Sequence, residues 1–364
     1  MTMKKLAVLL ATILLFVAIN AALYRTLTCR LANNFSGTNQ LKMIDVGRYL
    51  PFEERSELAR TGSSLKFQPG DKLPVLDGAA ALVPVYASVI ENCYPKGSVT
   101  YEGGAFSDDN YYGENFASDS VMQYQNTVRG FDAVVDGSVD LFFGARPSPE
   151  QARAAEEKGV ELELVPIGLE AFVFFVNKEN PVNGLTTEQL RAIYRGEITD
   201  WKEVGGAPGP IHPITRIPGS GSQTMMDIFM EGDIRPPRGP KALFSVFGRS
   251  IGYSFRYYVT GIVADDRVKL LAVDGVYPDS ANIGAGLYPI SGSFYAIYRK
   301  DNANPNVARL VEWLLSEEGQ RMIEATGYVR PADRVGSRYA PEPAYKLNDY
   351  SARNSRPPLV GGGA

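Results

Sequence analysis

Histidine and cysteine are almost missing from this chain. Its 364 residues include one histidine, His212, and two cysteines, Cys29 and Cys93. A multi-histidine metal centre is thereby excluded, and neither a metal nor a cofactor is expected. Any Ser-His-Asp or Cys-His relay would have to use His212, which is followed by Pro213. Two cysteines make no disulfide framework. Cys93 follows an apolar run from Leu82 to Ile90 and reads as a buried small hydrophobe. The chain also lacks basic runs. Its formal net charge is −4, and Lys and Arg are scattered. Nucleic-acid binding needs a basic patch, so that class is excluded. No spacing singles out a carboxylate pair for acid–base work. What remains is an ordinary globular composition, 45% hydrophobic and 21% charged, long enough for two lobes.

One long uncharged stretch is present, at the start. Lys4-Lys5 precede Leu6 to Tyr24, which as a helix would span about 28 Å, close to the thickness of a bilayer core. It fits a cleaved secretory signal or an uncleaved anchor. Its length, and the lack of a clean Ala-x-Ala site after it, favour the anchor. Residues 1–30 are expected as anchor or signal segment, with the rest of the chain on the extracytoplasmic side. Residues 31–70 are polar and irregular and read as a stalk, apart from a short helix within Met43 to Leu58. Residues from Pro331 to Ala364 are rich in Pro, Arg, Ser and Gly and read as a disordered tail.

Between these limits strands and helices alternate. Strands are expected at Leu73–Leu76, Asp140–Gly144, Glu161–Pro166, Ala171–Asn177 and Ile211–Thr215. Helices are expected at Leu82–Tyr94, Thr127–Asp136 and Asn306–Thr326. Ser148-Pro-Glu-Gln151 and Thr186-Thr-Glu-Gln189 carry helix-start signatures. Tyr101 to Ser120 reads as an aromatic, glycine-rich loop. Such alternation implies an α/β fold with mainly parallel sheets, whose ligands bind at strand ends against helix N-termini.

The segment richest in chemistry is Arg216-Ile-Pro-Gly-Ser-Gly-Ser-Gln-Thr224, followed by the amphipathic run Met225 to Met230. A guanidinium and two hydroxyls stand before a helix start, whose unpaired N–H groups and partial positive charge suit an anion. The competing interpretation is plain: Ser220 or Ser222 is an N-cap and Arg216 a surface charge.

Taken in order, several segments resemble the type II periplasmic-binding-protein superfamily, and more closely its phosphate-binding members. They are Leu73-Pro-Val-Leu-Asp-Gly78, Asp140-Leu-Phe-Phe-Gly-Ala145, Phe172-Val-Phe-Phe-Val-Asn177, Leu190 to Trp201, Arg216 with Ser220-Gly-Ser222, Ile251-Gly-Tyr-Ser254 and Ser316-Glu-Glu-Gly-Gln320. The resemblance covers roughly Leu73 to Pro331. It implies two α/β lobes joined by hinge strands around a ligand cleft, with lobe 1 in residues 71–168 and 285–330 and lobe 2 in residues 169–284. It also implies that Arg216, Ser220, Gly221 and Ser222 grip an anion. The loop after the first strand, which in that family carries a hydroxyl, is here Asp77-Gly-Ala-Ala-Ala-Leu82, so only the amides of Ala80 and Ala81 can donate. The aspartate that follows Phe-Gly-Ala in phosphate binders is missing, and Arg146 stands nearby instead. Arg146 either adds charge to the site or pairs with Glu150. Asn126 and Thr127 open a further helix and either face the anion or cap it.

The resemblance thus implies a solute-binding protein, not an enzyme. It would be a monomer that captures phosphate or a related oxyanion and delivers it to an ABC transporter permease in the membrane. The missing hydroxyl and acid leave a second reading open, a membrane-anchored sensor or accessory module with altered binding. A hydrolase is disfavoured by the lone His212.

Overall fold

A computed structural model of the protein describes residues 44–106, 112–216, 220–231 and 249–330, together with residues 5, 15–17, 19 and 20. The expected membrane segment falls mostly outside the described residues, and the expected C-terminal tail falls wholly outside them. Among the described residues, no helix is long and apolar enough to cross a membrane.

In chain order the first half comprises β1 (Leu76–Gly78), α1 (Val83–Cys93), the hairpin β2 (Tyr101–Phe106) and β3 (Tyr112–Phe116), α2 (Asn126–Asp136), β4 (Leu141–Gly144), α3 (Pro149–Glu157) and the long β5 (Leu162–Asn177). Then come β6 (Gly184–Leu185), α4 (Thr187–Arg195), β7 (His212–Pro213), α5 (Gly221–Phe229) and β8 (Ser250–Phe255). A π-helical turn (Tyr258–Val263) leads to β9 (Val268–Leu270), β10 (Ala272–Val273), α6 (Ser280–Gly284), β11 (Ser291–Arg299), α7 (Pro305–Leu315) and α8 (Glu317–Ala325).

The main sheet runs β1-β4-β11-β5-β8-β7, with β9 also paired to β5. Only its outer pairs, β1 with β4 and β7 with β8, are parallel, while β11 and β5 pair antiparallel with their neighbours. The expectation of mainly parallel sheets is therefore corrected. The reason is topological: β5 and β11 carry the chain in opposite directions between two lobes.

Each lobe has its own core. The first surrounds Leu76, Tyr86, Ile90, Leu310 and Leu314, and the second surrounds Phe172, Phe174, Tyr194, Phe229 and Tyr253. Strand β5 belongs to both, with Ile167 in the first core and Leu169 in the second. Gly168 marks the crossing. A Cβ there would stand 2.4 Å from the Phe294 ring, so only glycine lets β5 pass so close to β11. The π-helical turn crosses back, placing Val259 in the second core and Ile262 in the first.

Local signals behave as elementary chemistry requires. Ser148 accepts from the Gln151 amide at 3.2 Å and the Gln151 side chain accepts from the Ser148 amide at 2.9 Å, a complete capping box. Thr186 and Gln189 repeat it. The helix expected over Asn306–Thr326 is instead two. Ser316, extended at φ −72° and ψ 168°, ends α7 and caps α8 through the Gly319 amide at 3.3 Å.

Residues 44–70, expected within a stalk, pack onto the first lobe. Ile44, Val46, Tyr49 and Phe67 are buried in its core. The irregular backbone is satisfied by side chains of α1: Ala59 donates to Ser88 Oγ, and Thr61 and Gly62 donate to Asn92 Oδ1. The short helix expected within Met43–Leu58 is a single 3₁₀ turn, Val46–Tyr49.

Candidate functional site

The loops at the sheet's strand ends meet around a cavity of about 800 Å³, counting its solvent-open mouth. Its walls bring together Arg216, Ser220, Gly221 and Ser222 from one lobe with Ala80, Ala81 and Thr127 from the other. The two groups lie at least 89 residues apart in sequence, from Thr127 to Arg216, and the crossing of β5 brings them to one place.

The helix start is held by a small network. Ser220 is the N-cap of α5 and accepts from the Gln223 amide at 3.2 Å. Capping and cavity lining are thus not alternatives, because Ser220 does both. The Arg216 amide donates to Gln223 Oε1 and to Tyr253 Oη, each at 3.0 Å, and the Tyr253 hydroxyl donates to the same Gln223 oxygen at 2.5 Å. Burial pushes the Tyr253 phenol up to about 12, so it stays a neutral hydroxyl. The Ser222 hydroxyl stands 3.4 Å from that of Ser254, another cavity residue. Together these contacts fix where the chain leaves Arg216 and where α5 begins. Residues 217–219 lie outside the described residues.

Tyr258 also lines the cavity, and burial raises its phenol pKa against the pull of the nearby Arg216 guanidinium. The Tyr328 hydroxyl donates to the Ala81 carbonyl and pins the loop that presents Ala80 and Ala81. These two alanines head a 3₁₀ turn, Ala80–Leu82, whose first N–H groups have no partner inside the turn.

Two expected residues are not brought to the cavity wall. Arg146 donates to Tyr295 Oη at 3.3 Å and lies 5.8 Å from the centre of that ring. Tyr295 sits on the adjacent strand and captures the guanidinium, so only the neighbouring Ala145 lines the cavity. Glu150, the suggested alternative partner of Arg146, lies 3.5 Å from Arg153. Asn126 adopts φ +59° and accepts from the Val128 amide at 3.1 Å, which makes it a local cap of α2. Nor is His212 part of the wall: it stands partly exposed on β7, its pKa lowered by burial and by Arg249.

Cavity-wall residues that the sequence did not single out as ligand-binding include Glu170, Phe172, Phe294 and Tyr328. Glu170 carries the most chemistry. It is 5% exposed, and its oxygens accept from the Ala171 amide at 2.8 Å and the Tyr257 amide at 3.2 Å. Arg256 Nε stands 3.6 Å away. Burial pushes this carboxyl up to about 7, against the pull of Arg256 and the two amides. Among the described residues no cluster of His, Cys, Asp and Glu is placed to hold a metal ion.

A family model for the PBP superfamily domain matches residues 108–318. The chain is 26% identical over 236 residues to the phosphate-binding protein PstS of Bacillus subtilis, spanning 62% of this chain and 76% of that one. It is 26% identical over 295 residues to Protein SphX of Synechococcus elongatus, spanning 70% and 86%. In three dimensions it is similar to an ABC-type phosphate transport receptor from Vibrio cholerae. That match has a TM-score of 0.50 and 21% identity, over 71% of this chain and all of the other.

Proposed function

Because the chain belongs to the PBP superfamily, we propose that it is a solute-binding protein whose two lobes close on phosphate or a related oxyanion and deliver it to an ABC-type permease. One observation carries this reading. Arg216 lies in a cavity wall beside the N-terminus of α5, with Ser220 and Ser222 next to it. A fixed positive fork, two hydroxyls and the positive end of a helix converge on one space. The names of relatives such as PstS of Bacillus subtilis agree with it.

In this reading Arg216 supplies charge and paired hydrogen bonds. Ser220, Ser222 and Thr127 supply hydroxyls. Ala80 and Ala81 supply amides, and Gly221 lets the backbone come close. Lobe 1 is formed by residues 71–168 and 285–330, joined by the packed segment 44–70, and lobe 2 by residues 169–284. Hinge motion occurs where β5, β11 and the Arg256–Val263 segment cross between lobes. The protein works as a monomer outside the cytoplasm, held at the membrane by the uncharged segment Leu6–Tyr24, and it performs no bond-breaking chemistry. Calorimetry with inorganic phosphate is expected to give a single-site isotherm. Arg216→Ala removes charged hydrogen bonds worth about 1.5–3 kcal/mol each and should abolish the signal. Phosphate binding unchanged by that substitution would refute the site.

A second reading is a membrane-anchored sensor or accessory module with altered binding. It is favoured by the cavity loop Ala79–Leu82, which has no hydroxyl, and by the withdrawal of Arg146 onto Tyr295. A ligand selective for the folded state must raise its melting temperature, by about 2.7 kcal/mol of stability at a hundredfold excess over Kd. A panel of oxyanions that leaves the melting temperature unmoved would select this second reading.

A further inference from the structure

One wall of the cavity does not suit a bare anion. Glu170 is buried there with Arg216 in the same space. A carboxylate in the wall of an anion site repels the ligand unless the ligand presents a donor to it. Arg256, the Tyr257 amide and the Ala171 amide hold the Glu170 carboxyl in place, and Glu170 is at the same time a residue of the cavity wall.

There is also room. Gly292 is the partner of Glu170 in the β5–β11 pairing, so both face the same side of the sheet. A Cβ built on Gly292 would meet no heavy atom within 4 Å. The walls beside it, Phe172 and Phe294, are aromatic. The oxyanion end is meanwhile thin in side-chain donors, since Ala80 and Ala81 have no hydroxyl and Arg146 is held by Tyr295. Three charged oxygens match that donor set better than four.

We propose that the ligand is a monosubstituted phosphorus oxyanion, a phosphonate or a phosphate monoester, whose short arm ends in an amine. Its three charged oxygens sit at Arg216, Ser220 and Ser222. The arm passes over Gly292 between Phe172 and Phe294, and its ammonium donates to Glu170. The aromatic faces add cation–π attraction to that ammonium. This inference rests on the cavity being an oxyanion site.

The test is calorimetry on the whole protein with four probes: inorganic phosphate, methylphosphonate, aminoethylphosphonate and phosphoethanolamine. The two amine-bearing probes are expected to bind at least about tenfold tighter than the other two. The tighter member of that pair tells whether carbon or an ester oxygen joins the arm to phosphorus. Gly292→Val fills the open space. It should remove the advantage of the amine-bearing probes while holding phosphate within about threefold of wild type. Glu170→Gln should remove it too, but this change leaves Arg256 without its charge partner, so Gly292→Val is the safer variant. Phosphate binding as tightly as the amine-bearing probes, or phosphate lost along with them in Gly292→Val, would overturn the proposal and leave the oxyanion reading standing. Failure of all four probes to bind would overturn both.

Discussion

Asp77→Asn should turn the pH dependence of this protein's stability in a direction opposite to that usual for an aspartate. Asp77 is fully buried in the middle of β1, with its carboxyl against Gly130 of α2. Its Oδ1 accepts from the Gly78 amide at 2.6 Å and the Gln125 amide at 3.2 Å, while its Oδ2 has no partner. Burial pushes the carboxyl from 3.8 up to about 7, and those amides only partly oppose it. Between these two values the folded state holds a proton that the unfolded state has released. Stability therefore falls as pH rises through that window and levels off above it. The cost at alkaline pH is on the order of 4 kcal/mol. Asparagine keeps the same shape and an oxygen for both amides, but it cannot ionise. Its buried amide nitrogen costs about 1–3 kcal/mol, independent of pH.

The measurable quantity is the stability difference between variant and wild type, from urea melts of the ligand-free protein at a series of pH values. At about pH 4 the asparagine variant should be the less stable of the two, by its pH-independent cost. The difference should then move in favour of asparagine, by on the order of 4 kcal/mol in total, by about pH 8. Contributions from Glu170 are common to both proteins and cancel. A difference that stays constant across the series would show that Asp77 titrates normally, and that the unpartnered oxygen reaches solvent.

Two N-caps offer a paired control. Ser148→Ala and Ser220→Ala should each cost about 1 kcal/mol in a denaturant melt, but only Ser220→Ala should also weaken oxyanion binding in calorimetry. Tyr258→Phe removes the cavity hydroxyl near the Arg216 guanidinium and should weaken binding by about 1 kcal/mol, roughly fivefold, with the melting temperature little changed; unchanged affinity would show that Tyr258 does not position the guanidinium. Gly319→Ala would place a Cβ 2.2 Å from the Trp313 carbonyl, so the α7–α8 corner must open; a melting temperature within a degree or so of wild type would refute that packing.

The fold was legible wherever the signal was local. Both capping boxes are short-range patterns with a short-range cause, and they form as written in the sequence. The failures arise where a strand's partner is remote or where one or two residues interrupt a local pattern. The polar step Gly168-Leu-Glu170 resembles a turn between two strands. It is instead the middle of one strand of 16 residues, because β11 pairs along Leu162–Ala171 and β8 takes over from Phe172 to Val176. Apolar spacing runs through Ser316 as if one helix continued, and only the extended backbone at that serine reveals the break. Tyr101 to Ser120 reads as a loop because Gly103 and Gly104 hide the alternation of a hairpin. Residues 44–70 look like a linker because their few buried anchors, Ile44, Val46, Tyr49 and Phe67, follow no helical or strand period.

The candidate site divides along the same line. Its half from Arg216 to Ser222 is contiguous, so its chemistry can be read in seven letters. The lining between the two lobes exists only after folding. Glu170 comes from the strand that crosses between lobes, Tyr258 from the turn that crosses back, and Tyr328 from just beyond α8. No motif links these three in sequence. They share a position where the chain passes from one core to the other, and residues at such crossings both line the cleft and move when the lobes move. Ligand contact and hinge geometry are then set by the same side chains. Substitutions at Glu170 or Tyr258 should therefore change the affinity for the ligand and the equilibrium between open and closed lobes together. Changes at Ser220 or Ser222, which belong to one lobe, should act on affinity and leave the open–closed equilibrium unmoved. Small-angle scattering of the ligand-free variants separates the two: a shift in radius of gyration for Tyr258→Phe but not for Ser222→Ala is expected, and equal behaviour of both would refute this division of roles.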